Sequence, residues 1–307
     1  MREPRSSDAA RWHPPSDHRG VTVAAWTTTL LAGAVPAIAW QEVTGAVPVW
    51  LPLAQAAVAL ALLAASLIWP ALAPLRRYAV VLAALLLLLF GSRELDLTWP
   101  ALQAAFGSSA FDARMQAEQV GKLVVAALMV VVLFALGFGR REAFLTVGHI
   151  AAPIRPVRLL GFPHADSWRR FGGIWGLGIA AALALAQYLI VRPSPADLNA
   201  LVPLLPSVLF YAALNAFSEE MTYRAPMLAA LEPATGSAHA LWQAAVFFGV
   251  AHYFGVPGGL SGAALSIFMG WILSKAMLET RGLFWPWAMH FASDVVIFSA
   301  LAVVLVR

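Results

Sequence analysis

The chain has no cysteine among its 307 residues. That excludes disulfides, thiolate zinc sites, cysteine nucleophiles and thiol-linked lipid anchors on this chain. Charge is scarce too. Asp, Glu, Lys and Arg make up 12% of the residues, against about 25% in an ordinary soluble domain. In their place stands 61% hydrophobic residues and a mean hydropathy of +0.75. Such a composition excludes disorder, which needs low hydrophobicity and high charge, and it does not fit a soluble enzyme of this length. It reads as one polytopic membrane domain. The net charge of +4 reads as a signal of membrane orientation. The bilayer is therefore the expected surrounding, and no nucleic-acid partner is expected.

The expected fold is all-α, a transmembrane helical bundle of about eight to nine spans. Residues 1–20 read as a polar cytoplasmic tail with Arg2, Arg5, Arg11 and Arg19, broken by Pro4, Pro14 and Pro15. The uncharged run Gly20 to Gln41 is long enough to span a bilayer, which takes about 20 residues, and reads as a retained first span rather than a cleaved signal. Further spans are expected over 48–69, 78–92, 123–139, 172–191 and 199–217. Residues 93–121 read as a semi-polar loop with an interfacial helix around Trp99–Phe106. Residues 233–274 carry no Asp, Glu, Lys or Arg, and Pro257-Gly258-Gly259 divides this run into two helices. A last span covers 283–305. The basic stretch 140–170 holds Arg140, Arg141, Arg155, Arg158, Arg169 and Arg170. It reads as a solvated loop, with a surface helix on anionic lipid as the alternative. An inside N-terminus places 15 of the 20 Lys and Arg on the cytoplasmic side and leaves Arg93, Arg114, Lys122, Arg192 and Arg307 outside. That bias predicts a multi-pass cell-membrane protein with its N-terminus in the cytoplasm. Residues 21–170 form an N-terminal transmembrane region, and 171–307 form the transmembrane core that carries the chemistry.

Ionisable residues within spans are rare and point to function. Here they gather in 215–294. Glu219 and Glu220 follow an apolar run, and Glu220 shares a helix face with Arg224 at i, i+4. Glu219 points elsewhere and has no arginine of its own; Asn215, four residues earlier, is placed to orient it. The bland alternative is a helix end with both glutamates solvated. His252 lies in an apolar helix with Phe248 one turn before it. His290 and Asp294 share a face of the last helix. Asp294 needs a partner, for which His290 and Arg224 are the candidates. His239 reads as interfacial. An acid, a base and polar donors drawn from three apolar helices suit hydrolysis by an activated water. Proton-coupled transport and a structural or binding role stay open on these residues alone.

The spacings Glu219-Glu220-xxx-Arg224, Phe248-xxx-His252 and His290-xxx-Asp294 stand on successive helices in the order of the motifs EExxxR, FxxxH and HxxxN or HxxxD. Over residues 170–305 the chain resembles the CPBP family of intramembrane proteases (the CAAX protease and bacteriocin-processing, or Abi, family). The resemblance implies a membrane-embedded bundle that cleaves a peptide bond of a membrane-associated protein or peptide, by removing a leader or trimming an anchor. It implies that Glu219 and His252 activate water and that His290 and Asp294 steady the oxyanion. Glu220 and Arg224 brace the helix, and Phe248 packs the site. Asn215 is added to these on geometry. The family is described both as glutamate proteases and as metalloproteases. The favoured reading is metal-free and needs no cofactor. In the zinc alternative Glu219, His252, His290 and Asp294 are ligands of ordinary type. The resemblance also admits a non-catalytic role in bacteriocin immunity or in binding a membrane partner.

Overall fold

Within a bilayer every backbone N–H and C=O must be satisfied inside its own segment, so long apolar runs become helices. The computed structural model describes residues 12–13, 19–92, 99–107, 109–255 and 258–307. The arginines and prolines of the tail before Trp12, with Pro14 and Pro15, lie outside the described residues, as do Arg93 and Pro257.

The helices are α1 (Arg19–Ala32), α2 (Val35–Thr44), α3 (Leu51–Ile68), α4 (Arg76–Ser92), α5 (Pro100–Phe106), α6 (Ala110–Ala135), α7 (Trp168–Val191), α8 (Pro195–Leu201), α9 (Leu205–Glu219), α10 (Ala225–Thr235), α11 (Ser237–Ala251), α12 (Gly259–Thr280) and α13 (Phe284–Val306). A five-residue π-helix, Glu220–Arg224, joins α9 to α10. The strands β1 (Pro153–Ile154) and β2 (Asp166–Ser167) form one short antiparallel pair. The protein is thus an all-α polytopic bundle. Among the described residues seven helical stretches are long and apolar enough to cross a membrane, or eight if α1 and α2, bent by 43°, form one span. The ninth expected segment is α11. Its 15 residues cover about 22 Å at 1.5 Å each, short of a hydrocarbon core of about 30 Å.

One expectation is corrected and two alternatives are set aside. Residues 110–121 are not loop. Ser109 caps α6 by accepting from the backbone N–H of Asp112 at 3.0 Å, so this helix starts well before residue 123 and carries Lys122 within it. The pair Glu219-Glu220 does not end a helix at the surface, because the helical path continues through the π-turn to Thr235. The basic stretch forms no surface helix; it is a connector folded around the β1–β2 pair. Its six arginines are exposed while Trp168 is fully buried, and the Trp168 indole donates to Glu279 at 2.9 Å.

The largest apolar cluster joins α1, α3, α4, α6, α10 and α11. The hydroxyl of Thr29 ties three of these together, 2.8 Å from the Tyr78 hydroxyl and donating to Gln243 at 3.1 Å. A second cluster packs the connector and α7 against α12, and a third packs the start of α6 against α9 and α13. Helix α7 is peripheral, with most of its apolar length exposed. Helices α11 and α12 approach closely at Gly249, where an added Cβ would lie 2.3 Å from the backbone nitrogen of Ile267.

Candidate active site

Asn215 and Glu219 stand on the last turns of α9, four residues apart and so on one face. The next residue, Glu220, opens the π-helix that ends at Arg224. Single π-turns of this kind are frequent at functional sites. Here the turn lets two adjacent carboxylates face different partners. Glu220 pairs with Arg224, and both side chains are fully buried. Glu219 turns to Lys122 of α6, whose ammonium donates to its Oε1 at 2.8 Å. The same ammonium donates to Asn215 Oδ1 at 2.7 Å. An ammonium has no lone pair, so the oxygen of the Asn215 amide must face Lys122. Its nitrogen then donates to Asp294 Oδ2 at 2.9 Å.

Helix α13 presents His290 and Asp294 to this group. His290 Nδ1 lies 2.9 Å from Glu220 Oε1. A carboxylate paired with arginine only accepts, so Nδ1 carries the hydrogen. Nε2 is left facing Glu219 Oε2 at 3.6 Å and Asp294 Oδ2 at 3.7 Å. The partners of Asp294 are therefore Asn215 and His290. Arg224, the other sequence candidate, is taken by Glu220.

His252 opens a short 3₁₀ turn directly after α11. Its Nδ1 lies 2.9 Å from the carbonyl oxygen of Phe248, an acceptor only, so this imidazole also carries its hydrogen on Nδ1 and keeps Nε2 free. The Phe248 ring sits between the groups: its centroid is 4.5 Å from that of His252, 6.1 Å from that of His290 and 4.7 Å from the Arg224 guanidinium carbon. His239 lies apart from all of this, at the start of α11, and accepts from the Trp26 indole at 3.2 Å.

A cavity of about 300 Å³ opens beside Glu219. Its wall includes Ser92 of α4, Glu118 and Lys122 of α6, and Ser218, Glu219 and Tyr223. Glu219 is reachable through it, with 13% of its side chain exposed. Among the described residues no three His, Asp or Glu side chains are placed to hold one ion. Glu219 already carries the Lys122 ammonium, and a dication beside it would be repelled.

All eight residues singled out in the sequence lie in or against this cluster. Lys122 is not among the residues that the sequence pattern singles out; the charge count places it outside with Arg93, Arg114, Arg192 and Arg307. The signal for it was Ser109-x-x-Asp112, a helix-start pattern. Counting from there puts Lys122 on the stripe of Met115, Gln119, Ala126 and Met129, the inward face of α6.

No curated protein and no solved structure matches the chain. Residues 201–296, which hold all three motifs and every site residue except Lys122, match the Rce1-like family, described as type II CAAX prenyl endopeptidase Rce1-like. For that part of the chain the likeness to the CAAX protease family is shown, and it supports a membrane protease.

Proposed function

We propose that the protein is an intramembrane endopeptidase that hydrolyses a peptide bond of a membrane-anchored protein or peptide with a water activated by Glu219 and His252. The observation that carries this reading is the convergence on one carboxylate. Glu219 borders the cavity and faces His290 Nε2 at 3.6 Å, and the Phe248 ring that packs on His252 also packs on His290. General bases act at hydrogen-bond distance or through one water.

In the proposed reaction Glu219 takes a proton from water while the oxygen attacks the scissile carbonyl carbon. His252 accepts a hydrogen bond from the same water at Nε2 and orients it. The carbonyl oxygen becomes an oxyanion, to which His290 donates from Nε2 when it is protonated. Preorganised donors of this kind often supply the largest part of catalysis. The proton held by Glu219 passes to the leaving nitrogen as the C–N bond breaks, giving a new carboxylate and a free amine. Asp294 orients His290 and does not face the oxyanion itself. Glu220 and Arg224 fix His290 from its other nitrogen. No step passes through a metal.

Substrates in this reading share a membrane-anchoring group near the scissile bond, and an isoprenylated C-terminal peptide is the first to try. The test is cleavage of isoprenylated and unmodified reporter peptides by purified protein, with Glu219→Gln beside it. Loss of a general base is expected to lower kcat by at least about a hundredfold while the melting temperature stays near that of the parent. Unchanged cleavage by Glu219→Gln removes Glu219 from the mechanism.

A further inference from the structure

We propose that Lys122, which α6 contributes from outside the family-matched segment, is a positioning residue of this site: it aims the Glu219 carboxylate and supplies the counter-charge that lets position 294 be aspartate rather than asparagine. The aiming role rests on the hydrolase reading above; the charge role does not.

The ammonium divides its hydrogen bonds between two residues of α9. One fixes Glu219 by Oε1 at 2.8 Å and leaves Oε2 turned toward His290 Nε2. Lys122 thereby selects which carboxylate oxygen is free to act as base. The other bond, to Asn215 at 2.7 Å, sets that amide so that its nitrogen donates to Asp294. Lys122, Asn215 and Asp294 thus form one chain, in which Asp294 can only accept at Oδ2.

Charge gives the second argument. The cluster holds three carboxylates, Glu219, Glu220 and Asp294, and two side chains that are cationic throughout, Lys122 and Arg224. His290 touches all three carboxylates and, protonated, brings the sum to zero. Lys122 is itself 39% exposed, but Glu220 and Asp294 are almost sealed from solvent, so without Lys122 the three carboxylates face Arg224 and one imidazole, and uncompensated charge there is expensive. With asparagine at 294 the sum closes without Lys122. In this chain the aspartate comes with a lysine that reaches it through Asn215.

Lys122 is placed for this by α6 itself. The helix is capped at Ser109, and the Gln116 amide donates to the Trp99 carbonyl. Contacts with α9 and α4 hold the same face inward.

The experiment is a double-mutant cycle on the full-length protein in detergent: parent, Lys122→Met, Asp294→Asn, the double variant, and Lys122→Arg. Melting temperature is read for all five, and kcat and KM are read on the reporter peptides. Lys122→Met is expected to lower the melting temperature by roughly 5 °C or more. Adding Asp294→Asn is expected to recover most of that loss, so the effects are far from additive. Lys122→Met is also expected to lower kcat by about a hundredfold with little change in KM, as misplacement of a reacting group does. Lys122→Arg is expected to restore part of kcat. Additive melting shifts, or a Lys122→Met chain that fails to accumulate and is not rescued by Asp294→Asn, overturn the charge role. Parent-like kcat in Lys122→Met overturns the aiming role. If the parent cleaves neither reporter while the melting cycle shows coupling, the hydrolase reading fails on those substrates and the charge role stands.

Discussion

Glu220 and Arg224 form an ion pair in which both side chains are fully buried and each neutralises the other. Breaking a buried pair from one side costs about 3–5 kcal/mol. Arg224→Met leaves the Glu220 carboxylate with only His290. At roughly 2–4 °C per kcal/mol, the detergent melting temperature is expected to fall by about 10 °C. Glu220→Gln is expected to cost less, since the Arg224 guanidinium keeps the face of Phe248 and an amide can still pair with it. Equal losses from the two variants would show that the charge pair is not what stabilises this turn. The pair itself was legible, since i, i+4 spacing with Glu first is a helix-face rule. The partner of Glu219 was not, because Lys122 lies 97 residues away in sequence and no local pattern links the two.

At the scale of elements, the site depends on how α11 meets α12. His252 follows the last turn of α11, so the line of that helix fixes where its Nε2 points. The two helices touch backbone to backbone: a Cβ at Gly249 would fall 2.3 Å from the Ile267 nitrogen, and one at Gly270 would fall 3.2 Å from the Ala245 Cα. Gly249→Ala is expected to push α11 off α12, lower the melting temperature by several degrees, and reduce kcat through displacement of His252. Gly270→Ala, with a looser contact, is expected to be milder in both readouts. Reversal of that order would mean that a different contact sets the α11 position. The division of 233–274 into two helices was readable from its glycines, but the close approach at Gly249 was not, because a glycine inside an apolar run has many meanings. The π-turn at Glu220–Arg224 was equally hidden, since the sequence pattern fits an ordinary α-helix.

Across the whole molecule, long-range contacts sort the connecting segments into two sets. In the first, Arg155 stacks on Trp12 at 4.5 Å, the backbone N–H of His13 donates to Ser237 at 2.8 Å, Arg281 pairs with Glu232 at 2.6 Å, and Leu283 donates to Thr146 at 2.8 Å. In the second, Tyr253 bonds Glu42, and Arg307 bonds Asp197 at 2.8 Å and the Arg192 carbonyl at 3.2 Å. Helix α11, short as it is, runs from a segment of the first set, at Ser237, to one of the second, at Tyr253. We propose from the arginine bias that the first set lies on the cytoplasmic side. The cysteine-free chain is a ready background for the test. Single cysteines replacing Arg141 or Arg158 are expected to react with an impermeant thiol reagent only from the cytoplasmic side, and one replacing Arg192 only from the opposite side. Labelling of all three from one side would overturn the alternation.

Composition and one-dimensional patterning by themselves determined that the protein is a helical membrane bundle. With so little charge, almost every long segment has one stable choice in lipid, the hydrogen-bonded helix. The same scarcity of charge made the chemistry visible, since Glu219, Glu220, Arg224, His252, His290 and Asp294 stand out in apolar helices. Only the tertiary structure decided which of them meet. Helical spacing tells which face a residue occupies, but not which helix lies opposite that face. Lys122 on Glu219, Asn215 between Lys122 and Asp294, and Glu220 between Arg224 and His290 are all contacts across helices. Each depends on crossings set by packing among distant segments, and so each was fixed only once the bundle had closed.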